Sequence, residues 1–98
     1  MKEIDCRQVS ETVSTLFQEA CLCLPEDVLA AVGQAEKDEV SSVARDVLGR
    51  ILENAKIAST EKIPLCQDTG TALILLELGQ EVHITGGDLY KAVNEGVR

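Results

Sequence analysis

Aromatic side chains are nearly missing from this 98-residue chain, which has one Phe, one Tyr and no Trp. So sparse a set cannot build the stacked-ring platform that single-stranded nucleic acids favour. Positive charge is scarce as well: 9 Lys and Arg stand against 17 Asp and Glu, and the formal net charge of −8 opposes a polyanionic partner. No apolar run approaches the ~20 residues of a membrane-spanning helix. The opening Met1-Lys2-Glu3-Ile4-Asp5 lacks the pattern of a signal peptide. These absences lead to the expectation of a soluble, cytoplasmic protein without nucleic-acid or membrane partners. What remains, 45% hydrophobic and 27% charged, suits a folded chain of one domain. Internal repeats and low-complexity linkers are not evident.

Paired zinc-type cysteine spacing is also lacking. The four cysteines are Cys6, Cys21, Cys23 and Cys66. Without an export signal they read as reduced thiols rather than a disulfide framework. Cys21 and Cys23 fall on a helical pattern, where residues two apart lie about 200° apart around the axis and cannot converge on one ion. Both are expected to be buried and inert.

Helical periodicity dominates residues 1–59. Val9, Val13, Leu16, Phe17, Ala20 and Leu24 mark the inward face of a helix over Arg7 to Cys23, with Asp5 placed to cap its start. Pro25 stops that helix and opens a second, whose first turn carries Glu26 and Asp27 and whose inward residues are Val28, Leu29, Val32 and Ala35. A break follows at Lys37-Asp38-Glu39. Ser41 or Ser42 then caps a third helix with a buried stripe of Val47, Leu48, Ile51, Leu52, Ala55 and Ala58.

The pattern changes over residues 60–98. Thr71 to Leu78 contains the uninterrupted apolar run Ala72-Leu73-Ile74-Leu75-Leu76 and predicts a buried strand. Gly79-Gln80-Glu81 predicts a turn, and the alternation of Val82 and Ile84 with His83 and Thr85 a second strand paired to the first as a hairpin. Gly86-Gly87-Asp88 leads into a last helix with Leu89, Ala92, Val93 and Val97 on one face. Its pattern runs to Arg98 without a stop, which predicts a partial domain. The expected fold class is α+β: N-terminal helices packed on a small antiparallel β-sheet, followed by a terminal helix.

Chemically capable side chains are adjacent, and punctuated like a site, in Lys62-Ile63-Pro64-Leu65-Cys66-Gln67-Asp68-Thr69-Gly70-Thr71. Pro64 stiffens the connection, and Gly70 admits backbone angles closed to other residues. Reactive groups on a loop anchored to a buried element are where function usually lies. His83, alone on a strand's exposed face, reads as solvated. Gly86-Gly87 lacks the rest of a dinucleotide fingerprint.

Asp68-Thr69-Gly70 by itself is similar to the aspartic proteases, but there the triplet ends a strand of an all-β chain, whereas here helical pattern precedes it. The longer string Ile63 to Gly70, followed by the apolar run, by Gly79-Gln80-Glu81-Val82-His83-Ile84 and by Gly86-Gly87-Asp88-Leu89 through Arg98, resembles the class I iron-sulfur fumarate hydratases. Leu24-Pro25-Glu26-Asp27-Val28 is similar to the same family, which includes tartrate dehydratases. The resemblance corresponds to the beginning of the α subunit. It implies a hydro-lyase that interconverts fumarate and malate, or alternatively dehydrates tartrate, on a 4Fe-4S cluster held by three thiolates. It implies Cys66 as one metal ligand, Gln67 and Asp68 as substrate-binding residues, and Asp68 as a catalytic proton-handling group. The other partners implied are the remainder of the α subunit, a β subunit and a small dicarboxylate. Cys6, Cys21 and Cys23 lie outside the family's cluster motifs, so the chain alone is expected to hold no cluster and to be inactive; apolar surface left uncovered where the rest of the subunit belongs predicts self-association. A reading of another class makes it a standalone dimerising module whose Cys66 senses oxidant.

Overall fold

The chain's helix boundaries follow from its caps and its one early proline. In the computed structural model, which describes residues 2–68 and 70–98, the order is β1 (Lys2–Asp5), α1 (Cys6–Leu22), α2 (Glu26–Asp38), α3 (Ser42–Glu61), β2 (Val82–Thr85) and α4 (Leu89–Val97). The Asp5 carboxylate accepts from the Arg7 backbone N–H at 2.8 Å and so opens α1. Pro25 stands at the head of α2, and Glu26 and Asp27 occupy its first turn. The Ser41 hydroxyl accepts from the Ala44 N–H at 3.4 Å and starts α3, and the Asp88 carboxylate accepts from the Lys91 N–H at 3.0 Å and starts α4. All four helices therefore form where periodicity predicts them.

The chain divides into two compact units, Met1–Glu19 with Thr69–Arg98, and Ala20–Asp68. In the first, β1 and β2 make a two-stranded sheet. The pairing is parallel, with Ile4 opposite Ile84, which overturns the expected antiparallel hairpin. The Gly79-Gln80-Glu81 turn exists, closed by a Val82 N–H to Gly79 carbonyl bond of 3.1 Å, but Thr71 to Leu78 is not a strand. Instead the Lys2 N–H donates to the Glu81 carbonyl at 3.0 Å, and Lys2–Asp5 takes the place beside β2. A run that is apolar on both faces needs neighbours on both faces and both edges. No described segment pairs with it, and every residue from Thr71 to Leu78 is exposed.

Helices α1 and α4 meet through small groups. The Ser10 hydroxyl donates to the Ala92 carbonyl at 2.7 Å, Val13 and Ala92 are buried, and a Cβ on Gly96 would stand 2.6 Å from the Ser10 carbonyl oxygen. Beside them, Ile4, Val9, Val13, Ile74 and Leu76 line an apolar groove of about 550 Å³.

The second unit packs α2 on α3. Here burial is thinner than the apolar stripes predict. Ala55 and Ala58 are buried, but Val47, Ile51, Val28 and Leu29 are exposed. In α1, too, Val13 is buried as expected while Leu16 is exposed. Cys21 and Cys23 are also exposed, contrary to the buried, inert placement expected of them. They sit at the end of α1, on the last turn and just past it, where no described apolar layer closes over the thiols.

Candidate functional site

The loop carrying Cys66 begins with an unusual helix ending. Lys62 adopts φ 59° and ψ 43°, the left-handed region that favours glycine, and its N–H donates to the Ala58 carbonyl. The Ile63 N–H reaches the same carbonyl at 3.2 Å. This paired bonding reverses the chain at the end of α3, and Pro64 fixes its own φ and biases Ile63 before it toward extended backbone.

Leu65, half-buried, is then fixed at both backbone groups. Its N–H donates to the Cys21 carbonyl at 2.9 Å, and its carbonyl accepts from the Asn54 side-chain amide at 2.8 Å. Cys66, Gln67 and Asp68 follow directly, all three exposed. The Cys66 Sγ lies 3.6 Å from the Asp68 carbonyl oxygen, a weak thiol contact that curls the three residues together. Thr69 lies outside the described residues. Gly70 adopts φ +60°, as the sequence predicts, with open space where a Cβ would stand.

The structure thus places a thiol, an amide and a carboxylate side by side at the surface, beyond a pinned residue. It does not enclose them. A polar cavity of about 450 Å³ in the same unit is lined by residues of α2 and α3, among them Glu36, Arg45 and Asp46, and by none of these three. His83 is exposed on β2, opposite Glu3. The protease-like reading of Asp68-Thr69-Gly70 fails on the fold, since α3 and a turn, rather than a strand, lead into Asp68.

Among the described residues no three His, Cys, Asp or Glu side chains gather as a metal ion would require. Cys66 offers a single exposed, soft sulfur on a held loop, the kind of donor that iron-sulfur clusters take from cysteine. The sequence singles out the three side chains by their adjacency but gives little sign of the Asn54 and Cys21 contacts that hold Leu65 before them. The one available signal was an Asn in mid-helix, a residue that favours competing hydrogen bonds over helix.

Comparison with known proteins identifies the family of the sequence. The family model described as Fumarate hydratase (Fumerase) matches residues 10–98. The chain is 40% identical over 88 residues to a Methanocaldococcus jannaschii protein named as a candidate L(+)-tartrate dehydratase subunit alpha, covering 90% of this chain and 30% of that one. It is 33% identical over 98 residues to fumarate hydratase 1, mitochondrial, of Leishmania major, covering 99% of this chain and 18% of that one. It is 38% identical over 63 residues to the aerobic class I fumarate hydratase of Escherichia coli K12, covering 55% of this chain and 12% of that one. The chain thus spans under a third of the length of these curated relatives.

Proposed function

The chain belongs to the class I iron-sulfur family of fumarate hydratases and tartrate dehydratases, matching its N-terminal region, and from that premise we propose that it is part of a hydro-lyase acting on a four-carbon dicarboxylate. The favoured reaction is the reversible addition of water across fumarate, with hydroxyl to one carbon and a proton to its neighbour, giving malate. The observation that carries this reading is the exposed Cys66-Gln67-Asp68 triplet following a residue held on both sides, within the span the family matches.

Each side chain has a part that its chemistry suits. Cys66 would supply one thiolate to a 4Fe-4S cluster, with the other ligands coming from elsewhere in the complete enzyme. When bound, such a cluster with one iron free of protein ligands supplies Lewis acidity toward a hydroxyl and a carboxylate. Gln67, with two amide donors, holds a substrate carboxylate. Asp68, an acceptor when ionised and a donor when protonated, handles or positions the proton exchanged with the substrate carbon. The remainder of an α subunit and a β subunit are the partners in this reading, and the isolated chain is inactive.

A second reading, dehydration of tartrate, is favoured by the similarity to the M. jannaschii protein, which extends over 90% of this chain. Tartrate carries one more hydroxyl than malate. The complete enzyme assayed with malate and with tartrate separates the two by relative kcat/KM. The shared core of both readings is tested by Cys66→Ser in that enzyme. Loss of the cluster's visible absorbance together with turnover is expected, because a serine oxygen is a hard donor in place of a soft one. Retention of both at the parent level would sink the assignment of Cys66.

A further inference from the structure

The geometry before Cys66 is set by two contacts from different helices, and one of them is a side chain with no other evident task. The Cys21 carbonyl that receives the Leu65 N–H belongs to the last turn of α1, whose carbonyls lack intrahelical partners. That bond satisfies a group the helix leaves open. Asn54 lies within α3, seven positions before its last residue Glu61, and its amide serves the Leu65 carbonyl rather than its own helix. The left-handed turn at Lys62 makes this reachable, since the chain doubles back over about 10 Å of helix to come alongside Asn54.

We propose that Asn54 is a positioning residue for Cys66. Peptide units are planar, so a chain has only φ and ψ to vary at each residue. Leu65 sits between two peptide planes. The Cys21 bond fixes the plane before it, through its N–H, and the Asn54 bond fixes the plane after it, through its carbonyl. With both planes held, φ and ψ of Leu65 are set, and so are the nitrogen and Cα of Cys66. Pro64 restricts the approach on the other side. The remaining freedom of the sulfur is little more than the local φ and χ1 of Cys66 itself. Removing the Asn54 donor frees the plane that carries Cys66 and leaves Leu65 held by the Cys21 contact alone, which then opens more often. The residue type is specific: a carboxylate of the same size has no donor for a carbonyl, and an alanine has no reach.

The consequence for a cluster ligand rests on the reading of Cys66 given above, whereas the clamp on Leu65 does not. Amide hydrogen exchange on the chain tests the clamp directly. Asn54→Asp and Asn54→Ala are expected to speed exchange at Leu65, whose N–H is the bonded one, by about five-fold, the loss of roughly one net hydrogen bond. Exchange in the middle of α3, at Leu52, Ala55 and Lys56, stays at the parent rate. Parent-like exchange at Leu65 in both variants overturns the proposal, and so does a uniform acceleration along α3, which marks a helix effect only. In the complete enzyme, the same variants are expected to shorten the half-life of cluster absorbance under an anaerobic chelator several-fold. If Cys66→Ser loses the cluster but Asn54→Asp decays at the parent rate, the positioning role fails by itself. If Cys66→Ser keeps the cluster, the ligand assignment fails while the exchange result on Asn54 still decides the clamp.

Discussion

Asp5 gives α1 a charge-dependent start at the point where the chain leaves its parallel pairing with β2. Its carboxylate accepts the Arg7 backbone N–H at 2.8 Å and faces the Arg7 guanidinium, with Nε at 3.3 Å. The backbone bond first, and the guanidinium second, hold the Asp5 carboxyl below its ordinary range. A folded-state pKa below the unfolded value of about 3.9 means that the cap contributes fully at neutral pH. That contribution is lost as pH falls from about 4 through the lowered folded value. Amide exchange at Arg7 is expected to stay protected at neutral pH and to open in that acid window. Asp5→Asn, which still accepts but cannot ionise, should remove the pH dependence across the window. An unchanged acid response in that variant would place its source elsewhere.

Lys62 is the converse case at the same scale, a residue in a conformation its side chain disfavours. A non-glycine residue in the left-handed region carries about 1–2 kcal/mol of steric cost, partly offset on substitution by the greater freedom of glycine when unfolded. Lys62→Gly is therefore expected to stabilise the second unit by about 0.5–1 kcal/mol, read as a higher urea midpoint at unchanged m-value. A lower midpoint would show that the lysine side chain contributes more than its backbone costs. Gly70 was legible as a positive-φ position because glycine advertises it. Lys62 was not, because nothing in a lysine does.

At the scale of elements, the four helices were readable and the sheet was not, for one physical reason. Helix starts are written locally, in Asp5, Pro25, Ser41 and Asp88, and each stands at its predicted helix start. Strand pairing is written in partners far apart in sequence. Lys2-Glu3-Ile4-Asp5 has a single apolar residue and no alternation to announce it, yet its backbone takes the place beside β2. The Cys66-Gln67-Asp68 triplet was legible because it is contiguous, while Asn54 was not, being eleven positions from its partner Leu65. The crossing of α1 and α4 was likewise hidden, since periodicity marks Ala92 but says nothing of Gly96. A methyl group on Gly96 would stand 2.6 Å from the Ser10 carbonyl oxygen and 2.7 Å from the Val13 Cβ. Backbone cannot swing aside as a side chain can, so the helices must separate. Gly96→Ala is expected to destabilise by about 1–3 kcal/mol despite alanine's better helix propensity, with a lowered thermal midpoint as the readout. A neutral or stabilising result would mean that the two helices slide apart at no cost.

At the scale of the whole molecule, the apolar run after the site is the largest departure from what its composition asks for. Leu73 and Leu75 are 82% and 88% exposed, and Leu76 and Leu78 are half exposed at 54% and 50%. Full burial of a leucine is worth about 1.5–3 kcal/mol, whereas association costs about 4–15 kcal/mol in lost freedom. Four such residues, aided by backbone groups free to pair, bring self-association within reach but leave it weak. The net charge of −8 opposes it, because like copies repel. Two consequences have opposite signs and so can be told apart. Raising salt shortens the range of that repulsion, so sedimentation velocity should show more association at about 0.5 M than at 0.05 M salt. Replacing both Leu73 and Leu75 by Lys adds two positive charges to an acidic chain and would promote association if charge alone governed it. Because the apolar run supplies the attraction, that double variant is expected to sediment as a monomer at both salt concentrations. Stronger association of the variant than of the parent would show that the exposed leucines are not what the copies share.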